Sequence, residues 1–315
     1  LKYFLIMNPG SRGGKSKKMF HKILCFFKKN NLDYDYYITD YIDDAYNASK
    51  RANENSYDVI IAVGGDGTIN RVVSGFYDEN GLRLSKAFFG VIYTGTSPDF
   101  CKNYNIPIKT DNALQCLLKD HREKINIGRI IHGSNETGKS KTGYFAVCMN
   151  AGIGASLAGY ANSGIRKIFG DFFGTFFSLI RALLVYKAES FKMSIDDKIY
   201  NFDGVFNISV GKGYYVASGI KINNNLSWLD KRFYIVVIKG INIFKWRKVF
   251  KLIYSGNIIK EDENFSYLYG KHIKIFNNKK CPDLEYDGDP IGYLPCKIEN
   301  AKEPLEIINN GIKEI

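Results

Sequence analysis

Histidine is scarce in this 315-residue chain, with four in all. None has the spacing of a metal ligand set or a Ser/His/Asp partner, so zinc and triad hydrolysis are not first readings. The six cysteines, Cys25, Cys101, Cys116, Cys148, Cys281 and Cys296, stand far apart without a CxxC pair. That spacing does not suit zinc and reads as free thiols of an intracellular protein. No apolar run is built to span a bilayer: the longest, Ile168 to Val185, carries Asp171, Gly174 and Arg181. The opening Leu1 to Met7 is too short for a signal peptide and runs directly into a turn. Neither an internal repeat nor a low-complexity segment is visible. The expectation is a cytoplasmic protein, with peripheral contact at the inner membrane face left open.

What is present describes a globular chain. Hydrophobic residues make up 45% and charged residues 24%, and the length suits two domains. The 22 Tyr and 22 Phe either fill β-rich cores or wall an apolar cleft. A formal charge of +12 points to an anionic partner, namely nucleotide phosphates, nucleic acid or an acidic membrane surface. Much of that excess is diffuse lysine, which solubility alone explains. Nucleic-acid binding has no support beyond charge, so none is expected.

Strand and helix alternate through residues 1–124. Tyr3 to Met7 reads as a short strand, and Phe20, Ile23, Leu24 and Phe27 then recur at helical spacing. Tyr34 to Thr39 is a strand and Asp43 to Glu54 a polar helix. Tyr57 to Val63 is nearly continuously apolar, as a parallel strand covered on both faces must be. A helix follows through Ile69, Val72, Val73 and Phe76, then a strand over Phe88 to Tyr93 and a helix over Asp111 to Leu118. Such alternation predicts a doubly wound α/β nucleotide-binding domain with its site at the carboxyl ends of the strands.

From residue 125 to 299 short strands dominate: Ile125 to Ile131, Gly143 to Met149, Phe191 to Ile195, Lys198 to Phe202, Val205 to Val210, Phe233 to Ile238 and His272 to Phe276. Helices are predicted over Ser163 to Tyr186 and Ile243 to Tyr254. The first of these is either a wall for an apolar ligand or packing against the sheet. The class is therefore α/β plus all-β.

Three glycine loops carry the chemistry. Gly64-Gly65-Asp66-Gly67-Thr68 closes the buried third strand, where glycines let backbone approach a ligand and a helix N-terminus faces phosphate oxygens. Asp66 cannot favour a phosphate itself; its use is to hold Mg²⁺ on the nucleotide, directly or through water. Asn8-Pro9-Gly10-Ser11-Arg12-Gly13-Gly14-Lys15 follows the first strand, with Arg12, Lys15 and the loop amides for phosphate. Thr94-Gly95-Thr96-Ser97-Pro98-Asp99-Phe100 follows the fourth. Gly133 to Ser140 also matches GxxxxGK[ST], but a strand rather than a helix is expected after it, so it reads as a hairpin.

In this order the motifs resemble those of the diacylglycerol kinase catalytic family, which includes sphingosine, ceramide and bacterial lipid kinases. An NPxSG-type loop is matched by Asn8 to Ser11, GGDGTxNE by Gly64 to Arg71, GTxNDFAR by Gly95 to Lys102 with Pro107 beyond, and a late DGE by Asp287-Gly288-Asp289. Asn150-Ala151-Gly152-Ile153-Gly154 is similar to the family's entry into its second domain. The resemblance implies an ATP-binding α/β domain over 1–124, completed by 300–315. It also implies a β-sandwich lipid-substrate domain over 125–299, with the site in the cleft between them. Asn8, Pro9, Gly10, Ser11, Arg12, Thr39, Gly64, Gly65, Asp66, Gly67, Thr68, Asn70, Gly95 and Thr96 would be nucleotide-side positions. Asp287 and Asp289 would be carboxylates at the acceptor hydroxyl. The implied reaction is phosphoryl transfer from ATP with Mg²⁺ to a lipid alcohol, a step of phospholipid metabolism, with a homodimer permitted.

This chain departs from the pattern at Arg71 for Glu, Pro98 for Asn, Lys102 for Arg and Asp289 for Glu. Bacterial members also hold a structural Mg²⁺ near an LDDGYF segment. The matching Leu229 to Tyr234 has Lys231 where an Asp ligand is expected, so that second metal site is not expected here. The rival readings are another GGDGT enzyme, such as an NAD kinase or phosphofructokinase, and a member that binds nucleotide or lipid without turnover.

Overall fold

The computed structural model describes all residues except 42, 134–139, 154, 156–185, 217–219, 223, 241–262, 277–283 and 312–315, and the statements below concern the described residues. Most of the two helices expected at 163–186 and 243–254 lies outside them. The chain forms two compact units, one of residues 1–127 with 301–315 and the other of residues 128–300.

The first unit is a parallel sheet with helices between its strands. β1 (Lys2–Met7), β2 (Asp33–Ile38), β3 (Val59–Gly64) and β4 (Phe88–Tyr93) run parallel in the order β2-β1-β3-β4. The sheet continues through β18 (Leu305–Ile308), parallel to β4, and ends on β5 (Arg122–Ile125), antiparallel to β18. One face presents Tyr3, Leu5, Met7, Val59, Ile61 and Val63. It packs on Phe20, Ile23 and Phe27 of α1 (Lys17–Lys29) and Leu114 and Leu117 of α5 (Thr110–Lys119). Ile6, Ile60 and Ala62 alternate to the other face and are also fully buried. There α2 (Asp44–Glu54) and α3 (Asp66–Ser74) pack on β1 and β3. Covering both faces is what makes β3 apolar at every position.

The strand order reverses between β1 and β3. Met7 pairs with Val63, so the loops leaving these two strands start side by side. Open parallel sheets take their ligands at this crevice.

The second unit is antiparallel and built around one long strand. The amino-terminal half of β10 (Lys198–Gly211) pairs with β9 (Glu189–Ile195), and its carboxyl-terminal half with β8 (Cys148–Gly152) and β13 (Phe233–Lys239). From β8 the pairing runs through β16 (Leu284–Tyr286), β17 (Asp289–Asn300) and β15 (Ile273–Ile275) back to β9. The hydrogen-bonded path thus returns to its start, and the sheet folds on itself around Phe145, Met149, Met193, Ile208, Ile235 and Ile298.

Four expected strands need correction. Ile125 to Ile131 is two strands, because Ile125 pairs with Leu305 in the first sheet while β6 (Gly128–Gly133) pairs with β17 in the second. Gly143 to Met149 splits into β7 (Lys141–Phe145) and β8, because the N–H groups of Ala146, Val147 and Cys148 turn to a carboxylate. Conversely, Lys198 to Val210 is one strand: the Asp203-Gly204 turn is a register shift within β10, with Gly204 at φ 65°. Residues 134–139 join β6 to its antiparallel neighbour β7, and Lys141 already belongs to a strand, so no helix follows the GxxxxGK[ST] match.

Candidate functional site

The three glycine loops of the first unit converge. The Asn8 Nδ2 donates to Thr68 Oγ1 at 2.9 Å, and its Oδ1 accepts the Gly10 N–H at 2.9 Å. Asn8 therefore shapes its own turn and ties it to the first turn of α3. Ser11 Oγ donates to the Thr94 carbonyl at 3.5 Å. Ser16, buried just before α1, leaves its helix uncapped and shares a hydrogen bond with Thr94 Oγ1 at 2.8 Å. Thr39 is buried at the end of β2, its N–H bonded to the Met7 carbonyl at 3.0 Å.

Backbone approach is closest between the second and third loops. A Cβ on Gly95 would stand 2.5 Å from the Cα of Gly65, and one on Gly64 would collide with the Thr68 side chain. The result is a narrow floor of main chain at the amino end of α3. Arg12, Gly13 and Gly14 follow one another at φ of 52°, 62° and 86°, so the first loop rises from that floor in left-handed conformation. A floor of glycine backbone beneath a helix N-terminus fits a chain of phosphates, by sterics and by dipole.

Asp66 is half-buried as the first residue of α3. Its Oδ1 accepts the Phe100 N–H at 3.2 Å and its Oδ2 the Tyr93 hydroxyl at 3.3 Å. Burial, reinforced by this carboxylate, pushes the Tyr93 hydroxyl up, so it stays a donor. Burial and Asp66 likewise hold Cys101 as a thiol. These two bonds are long, at 3.2 and 3.3 Å, and an ionised carboxylate has about four acceptor positions. One such carboxylate suits Mg²⁺ carried by a nucleotide, which needs few protein ligands. Among the described residues no cluster of three or more His, Cys, Asp or Glu forms a dedicated metal cage.

Thr68 and Asn70 are buried on α3, Gly67 is half-buried in its first turn, and Thr96 is exposed in the third loop. Pro9 is half-buried, and Gly10 and Arg12 are exposed. Arg71, where the resemblance implies Glu, donates Nε to Asp43 Oδ1 at 2.8 Å and Nη1 to Asn70 Oδ1 at 3.4 Å. The departure at Arg71 thus ties α3 to α2. Residues 99–103 form a short helix, α4 (Asp99–Asn103), which sequence periodicity missed because five residues make little more than one turn. Its N-terminal region supplies the Phe100 N–H that holds Asp66.

The other predicted carboxylates belong to the second unit. Asp287 and Gly288 form a two-residue hairpin between β16 and β17, with Tyr286 opposite Asp289. Their φ values of 48° and 94° are both left-handed, the pattern of a type I′ turn, for which Asp-Gly is a favoured pair. The Asp287 Oδ2 accepts the Ala146 N–H at 2.8 Å, and Oδ1 accepts those of Val147 and Cys148 at 3.0 and 3.1 Å. Three charge-assisted bonds take up most of this carboxylate's capacity. Asp289 is placed by its backbone as the first residue of β17.

Behind the turn lies a polar row that sequence reasoning missed. Glu285, Asn150 and Ser209 stand opposite one another on β16, β8 and β10. The buried Glu285 accepts the Gly288 N–H at 2.9 Å and is bonded by Asn150 Nδ2, while Asn150 Oδ1 accepts from Ser209 Oγ and, at 3.0 Å, from Asn207 Nδ2. Polar residues at alternate positions of apolar strands were the available signal.

Known proteins are similar to this chain over nearly its whole length. The model for the diacylglycerol kinase catalytic domain matches residues 2–130, and that for the YegS C-terminal NAD kinase beta sandwich-like domain matches residues 148–309. A diacylglycerol kinase of Staphylococcus saprophyticus is 24% identical over 310 residues, 98% of this chain and 96% of that protein. One from Staphylococcus carnosus is 25% identical over 303 residues, 96% of this chain and 93% of that protein. The solved structure of a Bacillus anthracis diacylglycerol kinase superposes with a TM-score of 0.68 at 20% identity, covering 98% of this chain and 97% of that one. Yeast NADH kinase, solved with NADH, superposes with a TM-score of 0.56 at 9% identity, covering 99% of this chain and 84% of that one. The two solved structures show the fold shared.

Proposed function

The chain belongs to the diacylglycerol kinase catalytic-domain family, and on that footing we propose that it is an ATP-dependent lipid kinase. It moves the γ-phosphoryl group of ATP to the hydroxyl of a diacylglycerol-like lipid alcohol. The observation that carries this reading is the close approach of Gly65 and Gly95, which leaves a floor of glycine backbone at a helix N-terminus suited to phosphate oxygens.

Each residue then has a task. The amides of the first loop and the N-terminus of α3 bind phosphate oxygens, while Asn8 and Thr68 hold the two loops in register. Mg²⁺ bound with ATP would supply positive charge against the negative charge that develops on the phosphoryl group. Asp66, steadied by Phe100 and Tyr93, is the carboxylate that would hold that ion, directly or through water. As the alcohol oxygen bonds to phosphorus and the bond to the ADP oxygen breaks, the hydroxyl proton passes to Asp289. Asp287 holds the turn that carries it. The exposed lysines of α1 (Lys17, Lys18, Lys28, Lys29) support peripheral contact with an anionic membrane surface.

The test is transfer of label from γ-labelled ATP to diacylglycerol in mixed vesicles, run beside NAD and sugar phosphates. Label in phosphatidic acid, lost in Asp66→Asn, supports the reading. Label in NADP alone would assign the NAD kinase alternative, and ATP binding without transfer to any acceptor would assign the non-catalytic one.

A further inference from the structure

In the second unit, just beyond β10, an ammonium group sits in a cage of main-chain oxygens. Lys212 Nζ donates to the carbonyl of Asp230 at 2.8 Å and to that of Arg232 at 3.1 Å. It also lies 4.3 Å from the centroid of the buried Phe233 ring, within cation–π range. The intervening Lys231 carbonyl accepts Asn300 Nδ2 at 2.6 Å. Three consecutive carbonyls of one turn are thus each claimed by a side chain from elsewhere in the unit.

Carbonyl oxygens converging on one positive charge are the ligand set of a hard cation. This is also the segment, Leu229 to Tyr234, where the family resemblance implies a structural Mg²⁺. The residues present do not fit that ion. Lys231 brings a positive charge where a carboxylate ligand is expected, and it is exposed. The Asp230 carboxylate is gripped by Arg232, whose backbone N–H reaches Oδ1 at 2.8 Å and whose Nη2 reaches Oδ2 at 2.6 Å. Two of the carbonyls already hold an ammonium. A divalent ion placed there would meet Lys212 at contact distance, and the Asp230 carboxylate that could offset the repulsion is already paired with Arg232.

We propose that the Lys212 ammonium is a built-in substitute for the structural divalent cation, tethering the 229–233 turn to the end of β10. The second unit therefore holds this turn without metal. Burial pulls Lys212 down to about 7 against the upward pull of Asp230. The test therefore belongs in mildly acidic buffer, where the ammonium form predominates.

The experiment follows amide exchange of the peptide spanning 226–240 in the full chain without nucleotide, in EDTA and in millimolar Mg²⁺. Unaltered protein should exchange at one rate in both. Lys212→Met, which keeps the apolar stem and deletes the charge, should exchange about tenfold faster in both, as expected for lost bonds to a charged donor. The double variant Lys212→Ser with Lys231→Asp empties the cage and restores a carboxylate, so it should recover protection in Mg²⁺ only. If Lys212→Met fails to fold, Lys212→Arg, which keeps charge and donors, should fold and stay metal-indifferent. Slower exchange of the unaltered chain in Mg²⁺ than in EDTA, or unchanged protection in Lys212→Met, would overturn the proposal.

Discussion

Gly65 and Gly95, thirty residues apart, bring their main chains so close that a Cβ on Gly95 would stand 2.5 Å from the Gly65 Cα. The pairing of β3 with β4 delivers them to one edge. Gly95→Ala should therefore force the two loops apart. Overpacking of this kind costs about 1–3 kcal/mol. Nucleotide affinity should fall more than stability does, because the floor itself is displaced. Titration calorimetry with ATP, beside thermal unfolding, measures both; unchanged affinity would argue against a phosphate floor.

Asp66→Asn keeps an oxygen for the Phe100 N–H while removing the charge. Turnover should drop by about a hundredfold or more, as when an electrostatic contact to the transition state is lost. The unfolding temperature should stay within error. A variant that retains full turnover would remove Asp66 from the mechanism.

Asp287 and Asp289 should separate cleanly. In Asp287→Asn an amide group replaces one oxygen that now receives a backbone N–H, leaving donor against donor at a cost of about 1–3 kcal/mol. Left-handed backbone is no obstacle, since Asn adopts it readily. Asp289→Asn should leave stability unchanged and abolish turnover. If Asp287→Asn is as stable as the parent but inactive, the assignments of the two residues exchange.

Alkaline stability should depend in part on the Tyr57 hydroxyl. Tyr57 is raised from 10.0 to about 12, by burial first and then by its hydrogen bond to Asp35, whose Oδ2 lies 2.7 Å away. Below pH 10 the hydroxyl is protonated folded or unfolded, and its stabilising contribution is fully present. Between about 10 and 12 the unfolded chain loses the proton first, so stability declines as pH rises. Tyr57→Phe should lessen that decline in denaturant titrations; an identical slope would exclude Tyr57 as one of its sources.

The legible parts of this fold are those where local chemistry and tertiary role coincide. β3 reads directly because a strand covered on both faces must be apolar throughout, and the glycines after it because only they allow the turn. The loop residues Asn8 to Ser11 and Gly95 could be placed at one edge once the strands were taken as parallel. Ser16, Tyr93 and Phe100 could not, since each serves the site through a bond to a residue far along the chain. The break after Ile125 was hidden because apolar residues continue across it while the chain changes sheets.

The sequence by itself determined the glycine loops, the doubly wound frame and the family, since glycine position, strand hydrophobicity and motif order are local properties. Only the tertiary structure decided what the charged residues do. Asp287 binds three backbone N–H groups, Arg71 bridges two helices and Lys212 fills a cage of carbonyls. The reason is physical: the state and task of a charge depend on which groups replace its water, and those groups arrive from distant parts of the chain.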